Sequence, residues 1–505
     1  MEKFDLKKLG YILALILFTV ITGWLIFGYL GYPQIEQSDE AAHGINAYEM
    51  LQQGSILVNY LKHEVDYFNS KPPLMLWFIM LSFKAFGPTP FALRLPSAIF
   101  GFILYILVIW WTNKKFGRFQ SLFWAAGLPT LEHMFHFHMF RSGDMDALYT
   151  LFFMLAIIGL LYALTEPLKG AVMYGLFGGL CFMTKGQHMY TLVLVGILFI
   201  PFLKKVGVKL IHYLLALAAG LVVILPWAVA RFMFDGTKFF HALFITETNL
   251  KISMANSVGV MAGFFLNPAV IISVAVCVVA FVVACITKKS FKESLKDGIL
   301  TPNRYVLVTW ALVVLLCNFL IGIELEWYIY SAYIPVLILG GDALAYLVRK
   351  ASGKKPVLVM CISLSVACLV FFAGMAVKYG VSYFNYDRLM GGSPIMGFYY
   401  DNVEMVGKYS MEYSKCPAYI ELSKEHVLYK SSPGDWEIDR VFAAETTNDV
   451  LCFDGGVDAF LATDNMDAIL YLDKGLWDQY NDVLSGHVIL MDSEMFVFSK
   501  HFYGE

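Results

Sequence analysis

The sequence predicts a polytopic α-helical membrane protein that carries a soluble α/β domain at its C-terminal end. Two observations predict the membrane part. Of 505 residues, 58% are hydrophobic and 15% are charged, against about 45–50% and about 25% in soluble chains. Uncharged runs of about 20 residues also recur, each long enough to cross roughly 30 Å of hydrocarbon as a helix. A third observation predicts the soluble part. Residues 380–505 hold 21 Asp/Glu against 8 Lys/Arg, so the net charge of −3 averages a basic membrane part and an acidic tail. This composition excludes an ordinary cytosolic enzyme, a disordered chain and a disulfide-rich scaffold. No soluble segment carries a dense basic stripe, which excludes nucleic acid as a partner.

The elements follow in order. After the short basic start MEKFDLKK, Leu9 to Leu30 is apolar, too long for a signal-peptide core and without an A-x-A site, and so reads as a retained first span. Further spans are expected near 91–111, 119–139, 145–164, 170–184, 187–203, 209–231, 258–286, 304–323, 327–348 and 356–378, roughly 11 to 13 in all. The stretch 74–83 is too short to span and reads as a buried or interfacial helix. Lys and Arg concentrate in MEKFDLKK, 113–118, 165–170, 204–209, 287–304 and 349–355. By the positive-inside rule these segments are cytoplasmic, which places the N-terminus inside and the tail outside. The expected domains are a membrane domain over 1–379, with a first outer loop at 32–90, and an extracytoplasmic domain over 380–505. In the tail, AYIEL, DVLCF, AFLAT, HVILMD and MFVFS read as strands, and 464–471 and 474–484 as helices. Six of the eight cysteines lie in apolar spans as small hydrophobes. Cys416 and Cys452 lie in the tail, where an oxidising compartment would allow them to pair.

On this topology the polar residues gather at the outer face. They occur in SDEAAHGINAYEM (38–50), YFNSKPPLMLW (67–77), RLPSAIFG (94–101), FRSGDMDALY (140–149), MTKGQHMY (183–190), ITETNLKIS (245–253) and IELEWYIYSAYIP (323–335). Singly, each has a plain reading. Asp39 and Glu40 can be a solvated helix exit, and Lys185-Gly186 a simple turn. Pro72-Pro73 can be a helix break, Asp144 and Asp146 acids at a helix start, and Glu247 with Lys251 an i,i+4 pair. His133, His136 and His138 lack the i,i+4 spacing that puts two metal ligands on one helical face. Together they converge. The carboxylates Asp39, Glu40 and Asp144 and the cations Lys71, Lys185, Arg141 and Lys251 meet at one membrane face, where each charge costs roughly 2.5–3.5 kcal/mol to insert. Cations there suit a phosphate, and a carboxylate beside them suits a base. There is no P-loop or dinucleotide fingerprint, and the cytoplasmic loops are too short for a nucleotide domain, so the phosphate belongs to a lipid.

The order D-E, K-P-P-L-x-x-W, R-L-P-S-A, an Asp opening a later span, and T-K-G resembles the polytopic GT-C glycosyltransferases. It is most similar to the aminoarabinose lipid A transferase branch, related to the protein O-mannosyltransferases, over most of residues 1–350. The resemblance implies inverting transfer of a sugar from a polyprenyl (undecaprenyl) phosphate to lipid A, another envelope glycan or a protein, at the outer face of a bacterial inner membrane. It puts Asp39 on the catalytic acid of the first loop and Asp144 on the second-loop aspartate. Lys71 falls on the lysine that contacts the lipid phosphate, and Tyr328 near a tyrosine that lines it. The chain departs from the pattern in three places. Asp39-Glu40-Ala41-Ala42-His43 replaces D-E-x-R-Y, and Ser70-Lys71-Pro72-Pro73 replaces E-K-P-P, whose glutamate helps hold a metal in some members. Thr248 and Lys251 stand where the family has His and Arg. A divalent metal is therefore left open. The rival reading is a transporter or flippase for a lipid-linked or anionic substrate, which would place its charges near the midplane on repeated broken helices; no repeat is visible here.

Overall fold

The computed structural model describes residues 6–32, 39–61, 63–136, 138–246, 258–288, 290–322, 325–384, 415–421, 450–452, 455–492 and 495–504, with isolated positions at 35, 446 and 448. By its contacts the chain divides into two compact units, Met1–Gly28, Ser70–Met75 and Leu95–Tyr383 in the first, and Tyr29–Asn69, Leu76–Arg94 and Phe384–Glu505 in the second.

The helices run α1 (Leu6–Phe27), α2 (Asp39–Gln52), α3 (Leu74–Phe86), α4 (Pro90–Lys115), α5 (Arg118–Gly127), α6 (Asp146–Tyr162), α7 (Pro167–Lys185) and α8 (Tyr190–Lys205). They continue with α9 (Leu210–Asp235), α10 (Val258–Leu266), α11 (Pro268–Lys288), α12 (Phe291–Gly298), α13 (Pro302–Ile321), α14 (Tyr333–Ala351) and α15 (Lys355–Tyr383). Among the described residues, eight helical stretches are long and apolar enough to cross a membrane, and 74–86 and 146–162 are shorter apolar helices. One of the eight, 167–205, is two helices separated by a 3-10 turn at Gly186–Met189, and the Tyr174 hydroxyl of α7 donates to Leu192 O of α8 at 2.8 Å where they lie side by side. Of the 11 runs expected, 170–184 and 187–203 fall in that one stretch, 145–164 forms the shorter helix 146–162, and three runs are interrupted, of which only 119–139 loses its place among the eight. The run 119–139 is helical only to Gly127; Pro129, which has no N–H to give, sits in a 3-10 turn at 128–130, and a single helical turn follows at His133–His136. The run 258–286 breaks at Asn267, whose side chain accepts from Ala269 N at 2.9 Å to start α11 at Pro268. The run 327–348 opens as a 3-10 helix, Glu326–Ala332, before α14.

Burial separates lipid-facing from protein-facing helices. On α9, Trp227 and Arg231 are buried while Leu210, Val222 and Met233 are among the most exposed apolar side chains, the pattern of a helix bathed in hydrocarbon. The same helix packs closely on α7 through small residues. A Cβ on Gly175 would run into Ala216 O, and one on Gly179 would lie 2.7 Å from Gly220 O, so two backbones meet where lipid gives no hydrophobic drive to associate. On the other side of the bundle, Asp342 of α14 accepts from Arg304 Nε of α13 at 2.6 Å and from Gln120 Nε2 of α5 at 3.3 Å.

In the second unit a two-stranded hairpin, β1 (Tyr60–Leu61) and β2 (Glu64–Val65), follows α2. The tail forms β3 (Ala418–Glu421), β4 (Val450–Cys452), α16 (Gly456–Ala462), β5 (Ile469–Asp473), α17 (Trp477–Leu484), β6 (His487–Asp492) and β7 (Met495–Phe502). The sheet order is β4-β3-β5-β7-β6, parallel across β4, β3 and β5 and antiparallel across β5, β7 and β6. Val457, Phe460, Leu470, Leu472 and Phe498 fill its core. Two tail expectations are corrected. AFLAT is helical, because Val457 and Phe460 at i and i+3 turn one face to the sheet. The expected helix 464–471 gives way to strand β5, whose five residues are buried on both faces and so show no alternation.

Candidate active site

The T-K-G turn helps to build a polar cavity in the first unit. Helix α7 ends at Lys185, and Gly186 takes φ +58° with a Cβ position only 2.7 Å from Leu243 Cδ1 and 3.4 Å from Pro72 Cδ. Only glycine meets both demands without strain. The turn packs on the proline that follows Lys71, so the K-P-P and T-K-G blocks meet. Lys185 is 5% exposed, and its Nζ lies 2.5 Å from Asp146 Oδ1 at the start of α6 and 4.7 Å from the centre of the Tyr328 ring. Tyr328 lies against His188, with ring centres 4.6 Å apart, and the Tyr149 hydroxyl donates to His188 O at 2.8 Å. Asp146, Tyr149, Lys185, His188, Asn318 and Tyr328 line one cavity. A buried ammonium held by one carboxylate and one π-face keeps hydrogen-bonding capacity for a further anion.

Beside this cavity lies the loop that carries Asp144. Ser97 Oγ, in the R-L-P-S-A block, donates to Asp144 O at 2.7 Å, and the Ser142 hydroxyl donates to the Asp144 carboxylate. His138 Nδ1 sits 3.2 Å from Asp144 Oδ1, and its ring stacks on Trp327 at 3.7 Å with 13° between planes. His138 has φ +58°, unusual for a residue with a side chain. Asp144 is thus held by three neighbours. Its partner His138 and the carboxylate are donors of the type a divalent metal would use.

Arg141 is buried at the end of α1. Its Nη1 donates to Leu25 O, Ile26 O and Gly28 O at 2.7–3.0 Å, and its guanidinium lies 5.1 Å from the Tyr383 ring centre. It caps the C-terminal end of α1, where the dipole favours a cation and the last carbonyls lack partners. Through Nη1 it ties the loop before Asp144 to the end of α1. Lys251, with Glu247 and Thr248, lies outside the described residues.

In the second unit, Asp39 opens α2 and is partly exposed. Glu40 next to it is fully buried and held in a fork by Arg94, Nε to Oε1 at 2.7 Å and Nη2 to Oε2 at 2.8 Å. Arg94 Nη1 also donates to Leu30 O at 3.1 Å. Both oxygens of Glu40 are engaged by Arg94, which anchors the start of α2 next to Asp39. A second polar cluster orders the chain before Lys71. Asn46 Nδ2 donates to Asp66 Oδ2 at 3.0 Å, Asn69 Nδ2 to Asn46 Oδ1 at 2.7 Å, and Asn59 Nδ2 to Asn69 O at 2.7 Å. Asp66 Oδ1 further accepts from Phe68 N at 2.7 Å. Lys71 itself is half-buried.

Of the expected residues in the first unit, Lys185 and Tyr328 share one cavity, and Asp144 lies in the adjoining loop. Asp146, His188, His138 and Trp327 escaped the sequence reading as site residues. The i,i+2 spacing of Asp144 and Asp146 held the signal for the first, since one acid opens the helix while the other remains in the loop.

Part of the chain is similar in sequence, and nearly all of it in fold, to known proteins. Residues 70–229 match the family described as dolichyl-phosphate-mannose-protein mannosyltransferase. An undecaprenyl phosphate-alpha-4-amino-4-deoxy-L-arabinose arabinosyl transferase of Yersinia enterocolitica is 28% identical over 217 residues, 42% of this chain and 38% of the relative. The Yersinia pestis protein of the same name is 27% identical over 200 residues, 38% of this chain and 36% of the relative. The chain therefore matches well under half the length of these relatives. The crystal structure of ArnT from Cupriavidus metallidurans bound to undecaprenyl phosphate superposes with a TM-score of 0.69 at 13% identity, covering 96% of this chain and 98% of that one. Its apo form gives 0.68 at 14% identity, with 98% of each chain covered. The fold is the expected GT-C architecture, and the chain is a multi-pass membrane protein.

Proposed function

We propose that this chain is a membrane glycosyltransferase that moves a sugar from a polyprenyl phosphate, of the undecaprenyl type, to an acceptor at the outer face of a bacterial inner membrane. The observation that carries the reading is the buried Lys185, paired with Asp146 and roofed by Tyr328, at a turn against which the K-P-P segment packs. The transferases named above support the class. The acceptor is lipid A, another envelope glycan or a protein. In this reading residues 1–379 form the catalytic membrane domain, with the N-terminus cytoplasmic, and 380–505 an extracytoplasmic accessory domain.

The acceptor oxygen attacks the anomeric carbon from the face opposite the phosphate. The carbon–oxygen bond to the phosphate breaks, and the configuration inverts. Asp39 takes the proton of a hydroxyl acceptor; a phosphate acceptor, already ionised near neutral pH, needs only positioning. Negative charge grows on the departing polyprenyl phosphate. Lys185 and Lys71 are the fixed cations that stabilise it, and they need no reorganisation at the moment of reaction. Asp146 keeps Lys185 aimed, Tyr328 closes the cavity, and Asp144 orients the hydroxyls or amine of the sugar. The protein purified into liposomes, given labelled polyprenyl-phosphate sugar and acceptor without any ion gradient, should transfer label to the acceptor. Movement of intact donor across the bilayer with no transfer would instead establish the transporter.

A further inference from the structure

We propose that the far ends of α11, α13 and α14, remote from the Lys185 cavity, form a second site that holds an acyl chain of an anionic phospholipid, with its headgroup on the lysines of α12. This site does not depend on the transfer reaction. It stands on a cavity of about 270 Å³ lined on its apolar side by Phe281, Val308 and Leu339 and on its polar side by Arg304, Asp342 and Tyr346. Fourteen residues of α13, about 21 Å of helix, separate Arg304 here from Asn318 in the Lys185 cavity.

Helix α12 makes this more than a gap between spans. Ser290 accepts from Glu293 N at 3.3 Å and starts the helix, and Phe291 packs edge-on against Phe281 with ring centres 5.6 Å apart. Ser294 is buried and lines the cavity with Gly298 and Ile299, while Lys292 and Lys296 are exposed. The helix therefore lays one face over the cavity and turns its lysines outward, the habit of an interfacial helix. An apolar cavity of about 150 Å³ already takes a benzene-sized guest, and an empty one forfeits dispersion contacts on every wall. In a bilayer the filler at hand is hydrocarbon chain.

Charge selects the headgroup. Residues 287–304 hold five basic and two acidic side chains. Asp342 inside the cavity is matched by Arg304 at 2.6 Å, so it does not repel an anion at the mouth. The Lys350 ammonium lies 5.8 Å from the Tyr346 ring centre. The Tyr346 hydroxyl is buried and, among the described residues, has no hydrogen-bond partner. It is placed to donate to an ester or phosphate oxygen at the boundary between chain and headgroup. The positive-inside rule by itself accounts for lysines in this loop; it does not account for a helix that roofs a cavity holding an unpartnered donor.

The test uses the full-length protein in nanodiscs of phosphatidylcholine doped with phosphatidylglycerol, with retained lipid counted by native mass spectrometry. Wild-type protein should retain phosphatidylglycerol over phosphatidylcholine. The exposed double variant Lys292→Gln/Lys296→Gln should lose about fivefold of that preference per lysine. Ala280→Trp, which fills the cavity from α11, should retain neither lipid there. Equal retention of the two lipids by wild type, an unchanged preference in the lysine variant, or a folded Ala280→Trp protein that keeps phosphatidylglycerol would each overturn the proposal. The lysine variant changes only exposed side chains, so it decides the matter even if the tryptophan variant does not fold.

Discussion

Lys185 and Arg141 are both buried cations in the first unit, one held by a carboxylate and the other by backbone carbonyls. Arg141 donates to three carbonyls at the end of α1. Hydrogen bonds from a charged group contribute about 1.5–3 kcal/mol each, so Arg141→Ala should lower stability by at least about 3 kcal/mol, read as a fall in Tm. The same variant with wild-type Tm and lost donor binding would instead assign Arg141 to donor binding. Glu40 and Arg94 make a similar case. Removing one partner of a buried pair costs about 3–5 kcal/mol because the other charge is stranded. Glu40→Met should therefore destabilise strongly, and Glu40→Met/Arg94→Met should recover part of the loss. Asp39 differs from both, since it opens α2 and is partly exposed. Asp39→Asn keeps size and removes basicity. With a hydroxyl acceptor it should slow turnover by roughly 10²–10⁴ while expression and carrier binding stay near wild type. Turnover at the wild-type rate would remove Asp39 as the base.

At the scale of elements, the site depends on where helices stop. Gly186 ends α7 at a positive φ with no room for a Cβ, and Gly186→Ala should push Leu243 and Pro72 apart from the turn. We expect transfer activity to fall at least tenfold with the protein still folded in the membrane, checked by assay beside a thermal melt. These stops also mark what the sequence made legible. Lys185 could be found because T-K-G interrupts an apolar run, and Tyr328 because the family resemblance points to it. The 119–139 run concealed its break, because Pro129 and His133 lie among residues apolar enough to span. That break frees 138–144 to place Asp144 and His138. Asp146 was hidden for another reason: an acid in the first turn of a helix has a sufficient explanation in the macrodipole, and only its 2.5 Å approach to Lys185 reveals its part. Strand β5 was misread because a strand buried on both faces shows no period of two.

At the scale of the whole molecule, alternation of basic loops sets the orientation, and orientation decides which face the Lys185 cavity opens to. A reporter fused after residue 505 should be active only outside the cytoplasm; activity inside would reverse the assignment. The fold extends over 96% of the chain in its likeness to the ArnT structure, yet the sequence match reaches only 42%. Helix packing in lipid tolerates many apolar exchanges. The central claim is that the Lys185 cavity binds the phosphate of a polyprenyl carrier, and binding of undecaprenyl phosphate to purified wild type and Lys185→Gln tests it most directly. Glutamine can still donate to Asp146 but leaves that buried carboxylate without its counter-charge, so a fall in Tm accompanies the loss. Loss of one charge-assisted hydrogen bond is worth about 10- to 100-fold in affinity, and Lys185→Gln protein, assayed below its own Tm, should bind more weakly within that range. Unchanged affinity in a folded Lys185→Gln protein would contradict it.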